Sequence, residues 1–380
     1  MHIGIDGRFF GPTGTGIGRY TQKLIEHLEQ IDTDNTYTVL LRQENFDQYT
    51  PQNPNFKKIL ADFPWYGFKE QLLLPPLLYK HTFDLFHFTN FNLPIFYQRP
   101  FVVTVHDLIL INFPTRRATT RNKLFYDIKY AGYKQVFRYG VTRSRAILAT
   151  STATKNDILS HYPIEAEKIA VTYQASEPQK EECNPQNDAK ILANYGILGQ
   201  YILYVGNAYP HKNLERLVGA YGNSSLRAQG VSLVLVGKED YFYARLKDYV
   251  RTQGIDGVRF AGFVPDAELG TFYRNALFYV FPSLCEGFGL PPLEAMQYGL
   301  PVLSSDHACL REVLGNAASF FSAANQDAIG AALEDFYRNP ERRNALRKIG
   351  FEQVAKYDWR RLAQETRNVY EQFAAKQDRS

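Results

Sequence analysis

Cysteine and methionine are scarce in this 380-residue chain: three of the first (Cys183, Cys285, Cys309) and two of the second. An odd, widely spaced set of thiols builds neither a disulfide framework nor a zinc site, and a reducing cytosol is the expected setting. Long hydrophobic runs are missing too, since no stretch reaches the roughly 18 uninterrupted apolar residues of a membrane-spanning helix. The opening Met1–Ile5 runs straight into Asp6 and Arg8, without the basic-then-apolar layout of a secretion signal. Strong charge of one sign is also lacking: the formal net charge is +4, too mild to imply nucleic acid as a partner. Aromatic residues are plentiful instead, with 26 Tyr and 27 Phe. Many of those rings are expected at surfaces or in clefts, where a ring can stack on a sugar or meet a membrane interface.

The length fits two domains better than one core. Short apolar strands alternate with amphipathic helices, the pattern of parallel α/β sheets. The residue pattern predicts strands at 2–5, 36–42, 84–88, 101–106 and 146–150, and a helix over 19–30. A polar stretch with Pro178 and Pro185 then reads as a linker. A second series follows, with strands at 201–205, 232–236, 259–263, 278–281 and 302–304, helices over 327–338 and 341–356, and a last helix over 359–375. The expected division is 1–174, a linker 175–198, 199–356, and a terminal helix 357–380 that packs back on the first domain.

Parallel sheets carry ligand loops at the carboxyl ends of their strands, and the unusual residues fall there. After the strand near Pro282 comes Cys285-Glu286-Gly287-Phe288-Gly289-Leu290, and Pro291 and Pro292 then suit the first turn of a helix. The free N–H groups of such a helix start favour a phosphate. Glu286 in the loop and Glu294 on the helix can accept hydrogen bonds from sugar and ribose hydroxyls; an ordinary strand–turn–helix with a capping Glu is the alternative. Gly14, Gly16 and Gly18 form G-x-G-x-G, not the dinucleotide spacing, and glycine there lets backbone N–H groups approach an anion closely; a merely flexible loop is the other option. Lys212 follows a strand end and precedes Asn213, which can cap the next helix. A lysine so placed can neutralise a diphosphate leaving group in place of a divalent metal, or it is a solvated surface lysine. His106 ends an apolar strand, where it is either a site residue or a histidine tied to local backbone.

Taken together these segments resemble the retaining glycosyltransferases of family 4 with two Rossmann-like domains, the group that includes bacterial mannosyltransferases. Five motifs stand in that family's order: Asp6–Tyr20, Val103–Leu108, Val205–Leu214, Phe260–Val264 and Cys285–Met296. The resemblance implies a GT-B fold, two Rossmann-like domains facing across a cleft, and transfer of a hexose with retention of configuration, without metal or cofactor. The donor is then a nucleotide-diphosphate sugar, leaning towards GDP-mannose, and the acceptor a glycan or lipid-linked sugar in polysaccharide assembly. It casts His106, Lys212 and Glu286 as catalytic, and Gly14, Gly16, Gly206, Asn207, Lys212, Phe263, Val264, Gly287, Phe288, Gly289, Leu290 and Glu294 as the donor site. Many members carry Arg where this chain has Asn207, which removes one cation from the diphosphate. A nucleotide-sugar epimerase on the same plan, or an inactive nucleotide-sugar-binding protein, remain alternatives.

Asp32-Thr33-Asp34 matches a metal-chelating D-x-D in form, yet it follows a helix directly and reads as a polar turn. Asp107 beside His106 does not make a metal site, and Cys285 reads as structural. Between Thr115 and Arg145 lie nine basic residues, Arg116, Arg117 and Arg121 among them, against the single acid Asp127. Rings interleave with those charges, and Phe63–Phe68 with Leu72–Leu74 adds an apolar cluster. Such a segment can lie on an anionic membrane from the cytoplasmic side, or its rings pack in the core while its cations stay solvated or meet an anionic acceptor.

Overall fold

The computed structural model describes residues 1–11, 15–114, 123–177 and 184–374. The chain forms two compact units. One holds Met1–Asn112, residues 123–174 and, from Asp358 onward, the final helix; the other holds Ala175–Tyr357 together with Phe113 and Pro114.

The first unit is built on seven strands: β1 (His2–Asp6), β2 (Thr36–Leu41), β3 (Phe56–Leu60), β4 (Leu85–Phe88), β5 (Phe101–Val105), β6 (Ala146–Ala149) and β7 (Ile169–Val171). All pair in parallel, in the order β3-β2-β1-β4-β5-β6-β7. β5 reads FVVTV and every residue of it is buried, as expected of strands covered on both faces. Much of the aromatic content is consumed here: Phe86, Phe88, Tyr97, Phe101 and Phe137 share one core cluster. The final helix Trp359–Ala374 lies along helix Thr15–Ile31. Its buried Tyr370 hydroxyl meets His87 Nδ1 at 2.6 Å.

The second unit has six parallel strands: β8 (Tyr201–Val205), β9 (Ser232–Val236), β10 (Val258–Gly262), β11 (Tyr279–Phe281), β12 (Val302–Ser305) and β13 (Ala318–Phe321), ordered β10-β9-β8-β11-β12-β13. The stretch read as a linker differs from expectation. Its described part forms helix Pro185–Asn194 and belongs to this unit. Polar residues there are structural: Asn184 caps the helix by accepting from Asn187 N at 3.3 Å, and buried Asp188 takes the guanidinium of Arg274 at 3.0 Å.

Each sheet therefore has one place where the strand order reverses, between β1 and β4 in the first unit and between β8 and β11 in the second. Connections leave such a pair in opposite directions, so a crevice opens at the carboxyl ends of those two strands.

Candidate functional site

In the second unit the crevice is bounded by the loop after β8 and the loop after β11. Gly206 opens the first with φ +150°, and a Cβ there would sit 2.9 Å from the Tyr204 hydroxyl. The chain then turns through Pro210–Lys212 into Asn213, a non-glycine residue in the left-handed region at φ 62°. Asn213 makes no capping hydrogen bond with its side chain. Its amide instead donates to the carbonyls of Pro282 (3.1 Å) and Ala323 (2.9 Å), tying this turn to the ends of β11 and β13. Leu284 N donates to His211 O at 2.7 Å and laces the two loops together.

The lacing brings two sequence-predicted residues into contact. Lys212 Nζ donates to Glu286 Oε1 at 2.6 Å, with 13% and 9% of the two side chains exposed. The ammonium also stands 5.3 Å from the centre of the Phe281 ring, a cation–π contact. Sequence reading gave these residues separate tasks; in the structure they are partners, a charge pair formed in advance at the crevice. The second oxygen of Glu286 makes no hydrogen bond among the described residues, so it can accept one from a hydroxyl. Burial first, then the neighbouring Lys212 charge, lowers the pKa of His211 to about 4, with Glu286 opposing, so the His211 ring is neutral at neutral pH.

Beyond Glu286 the chain passes Gly287 and Phe288 and turns at Gly289, φ +95°, where a Cβ would meet Leu310 Cδ2 at 2.6 Å. Helix Leu290–Gln297 begins there with prolines in its first turn. Proline needs no hydrogen bond for a missing N–H, and the remaining free N–H groups face the helix start. Glu294 is half-buried one turn further on and accepts from the Tyr273 hydroxyl at 3.3 Å. Phe288 turns its ring inward, edge-on to Tyr357 at 5.5 Å, and its carbonyl accepts from Cys309 Sγ. Cys285 is buried. After β10, Val264 is buried while Phe263 keeps 69% of its surface exposed, a free face for a planar base. Asn207 holds its turn by accepting, at its carbonyl, from the Tyr204 hydroxyl at 2.8 Å.

The first unit holds the remaining candidates. Gly14 lies outside the described residues. Gly16 is open, with nothing within 4 Å of a Cβ built on it, whereas a Cβ on Gly18 would strike Gly11 O at 2.1 Å. Gly16 therefore leaves backbone accessible, and Gly18 serves helix packing. His106 Nε2 donates to Thr89 O at 2.9 Å, which fixes the tautomer and makes Nδ1 an acceptor, met by Gln174 Nε2 at 3.4 Å. Burial lowers its pKa to about 4 against the opposing Thr89 bond, so the ring is neutral. The link to local backbone is present, and a neutral acceptor nitrogen accompanies it.

Asp32 is buried and accepts from Asn35 N (3.1 Å), Asn35 Nδ2 (2.8 Å) and the Tyr37 hydroxyl (2.6 Å); Asp34 pairs with Arg367 at 2.8 Å. D-x-D here holds a turn and the final helix. In the segment 115–145, Arg116, Arg117 and Arg121 lie outside the described residues. Of helix Lys123–Arg143, Phe137 enters the core and Tyr133 and Tyr139 pack against it. Phe68, in the upstream cluster, is 87% exposed, and Leu72 and Leu73 are exposed beside it.

Sequence reasoning missed Tyr273 and Phe281, which lie in ordinary helix and strand runs and carry no local signal. It also missed the cluster at the first unit's crevice. There Arg8, fully buried, donates to Asp6 (2.8 and 2.6 Å) and to Glu70 (2.7 Å), and Asn92 adds a bond to Glu70 at 2.8 Å. A lone Glu in the apolar run Phe68–Tyr79 was the available signal.

Residues 199–353 match the family described as Glycosyl transferases group 1, and residues 14–179 match Glycosyltransferase Family 4. An O-antigen chain mannosyltransferase B of Escherichia coli is 27% identical over 374 residues, covering 94% of this chain and 96% of that protein. Sucrose-phosphate synthase from Thermosynechococcus elongatus superposes with a TM-score of 0.74 at 18% identity, covering 99% of both chains. Anabaena HepE, solved in complex with UDP and glucose, gives 0.69 at 15% identity, covering 98% of this chain and 99% of that one. Both likenesses are to two-domain GT-B enzymes and show the fold.

Proposed function

Because the chain belongs to the glycosyltransferases, a Family 4 domain followed by a group 1 domain, we propose that it moves a hexose from a nucleotide-diphosphate sugar to a glycan or lipid-linked acceptor, with retention and without a metal. The observation that carries the reading is the Lys212–Glu286 pair at the β8/β11 crevice, 2.6 Å apart and beside an open helix start. As the sugar–phosphate bond breaks, its electron pair moves onto the diphosphate oxygen. Lys212, released from Glu286, and the N–H groups at the start of helix Leu290–Gln297 stabilise that charge. Glu286 holds the sugar ring, and Glu294, oriented by Tyr273, accepts from the ribose. Phe263 stacks on the base. The acceptor oxygen bonds to the anomeric carbon on the face the diphosphate leaves, and its proton passes to the departing phosphate oxygen.

His106 is the first unit's contribution, its Nδ1 accepting from a sugar hydroxyl that replaces the long contact from Gln174. Mannose is the favoured sugar, supported by the O-antigen mannosyltransferase at 27% identity over nearly the full length; GDP-mannose is accordingly the first donor to try. A peripheral, salt-sensitive contact with anionic bilayers, through the cations of 115–145 and the exposed Phe68, Leu72 and Leu73, fits a lipid-linked acceptor. Among the described residues no helix is long and apolar enough to cross a membrane.

The test is turnover of a panel of nucleotide sugars with and without acceptor, before and after chelator treatment, with the product anomer read by NMR. Expected are mannosyl transfer from GDP-mannose, an α-linked product and unchanged rate in chelator. An inverted product, or activity abolished by chelator and restored by manganese, overturns the corresponding part of the reading.

A further inference from the structure

A second cleft in the first unit, lined in part by Phe101 and Tyr139, lies apart from the crevice described above. It sits at the amino ends of β5, β6 and β7, the opposite end of the sheet from the glycine loop and His106. Its volume is about 620 Å³, and the residues that matter in its lining are Arg99, Arg143, Arg145, Lys168, Glu165 and Glu167. The sequence explains the crowding: Arg99 precedes β5, Arg143 and Arg145 precede β6, and Lys168 precedes β7, so parallel strands bring four cations from three connections to one edge. None of the four makes a salt bridge within 4.0 Å among the described residues. Lys168 Nζ donates instead to the carbonyl of Thr142 at 2.7 Å. Burial first, and then the Arg143 charge, pulls the Lys168 pKa down to about 8, with Glu165 opposing. Four cations stand here against two carboxylates, Glu165 and Glu167, and none is relieved by a direct ion pair of the kind seen at Arg8 or Arg274.

We propose that this cleft is a binding site for a phosphate-bearing ligand, held by Arg143, Arg145 and Lys168. Guanidinium groups match phosphate oxygens in bidentate geometry, and a partly buried ammonium adds a point charge. The volume falls in the range of small-molecule sites. The strand ends that line it are the reverse of those that carry ligand loops in such sheets, so the ligand is not the transferred sugar's diphosphate but an effector or an anchor. The two sources of such a group are a soluble phosphate compound and a phospholipid headgroup. The inference stands independently of the transfer reaction proposed above.

Site-specific amine labelling of the full chain tests it without interference from a donor site. Lys168, with its lowered pKa, reacts with an acylating reagent near neutral pH, and peptide mapping by mass spectrometry reads its modification alone. Millimolar inorganic pyrophosphate is one arm; phosphatidylglycerol vesicles against phosphatidylcholine vesicles are the other. Expected is suppression of Lys168 labelling on the order of fivefold in at least one arm, and about tenfold weaker protection in Arg143→Ala and Arg145→Ala, since each charge-assisted contact contributes that order. Both arginines are exposed, and unchanged thermal unfolding of the variants shows that they fold. Protection by pyrophosphate assigns a soluble ligand, and protection by anionic vesicles alone assigns a headgroup. Lys168 labelling unaffected in both arms, or protection indifferent to both arginine changes, overturns the proposal.

Discussion

The two sheets place a cation at the same topological position, beside the strand pair where the order reverses, and treat it in opposite ways. In the first unit Arg8 is sealed between Asp6 and Glu70, with Asn92 and the backbone of Tyr66 satisfying Glu70 further. Burial pushes the Glu70 carboxyl up, against the pull of Arg8. In the second unit Lys212 has one carboxylate partner and both remain partly open to solvent. A cation sealed between two acids fixes loops and is shut off from solvent, although its Nη1 is left without a partner. A cation with one movable partner can exchange it for a phosphate. The same fold position thus serves as scaffold in one unit and as chemistry in the other, and the loop glycines and the lacing by Asn213 decide which.

Arg8→Ala gives the largest expected effect. It strands two buried carboxylates, at a cost of about 3–5 kcal/mol in stability, read by urea unfolding. A variant that stays stable yet loses turnover would make Arg8 a site residue and erase the contrast. Lys212→Ala is expected to do the reverse, lowering kcat about 10²–10³-fold with a smaller loss of stability than Arg8→Ala, because it strands one carboxylate, 9% exposed, rather than two sealed ones. Unfolding as severe as that of Arg8→Ala would show the two cations to be equivalent.

Acid sharpens the comparison next, since two depressed histidines, His87 and His106, belong to the first unit against one, His211, in the second. Burial lowers their pKa values to about 3 and about 4 from 6.5, with mutual repulsion adding at His87. Between those values and 6.5 the unfolded chain binds protons that the folded chain refuses, so stability is full above 6.5 and falls as pH drops through the window. His106 alone accounts for about 3 kcal/mol by its lower edge. Unfolding followed through the tryptophans, Trp65 and Trp359, both in the first unit, should show the loss; a flat profile down to about pH 4 would remove these histidines from the scaffold. The smallest effect is at Glu294. Glu294→Ala should weaken nucleotide binding by about 1–3 kcal/mol in calorimetry, and unchanged affinity would sink its ribose role.

Central strands were legible, and of the four edge strands only β10 was, at 259–263. The strands at 201–205 and 232–236 were read at their observed bounds because unbroken β-branched and aromatic runs leave no other choice. Missed were β3, β7 and β13, each at a sheet edge. β3 carries Lys57 and Lys58, and β7 has three residues; an edge strand needs little apolar pattern because one side is never covered. The helix at 185–194 was hidden because its polar residues find partners at 271–275, far away in sequence. The site followed the same logic. Glycines and the paired Glu residues announce themselves by spacing, whereas the contact between Lys212 and Glu286 spans 74 positions and depends on Asn213 being left-handed, which residue type alone does not dictate.

The return of helix Trp359–Ala374 to the first unit sets an order of assembly during synthesis. The first sheet emerges from the ribosome early, but Tyr370, which meets His87, and the helix that covers Thr15–Ile31 are made only after the second unit's stretch Ala175–Tyr357. The second unit, which apart from Phe113 and Pro114 runs from Ala175 to Tyr357, is fully synthesised before the first unit can close. The N-terminal half therefore waits with one helix face bare while the C-terminal half folds, and a ribosome stalled short of residue 370 would release a chain whose later-made part is finished and whose earlier-made part is not.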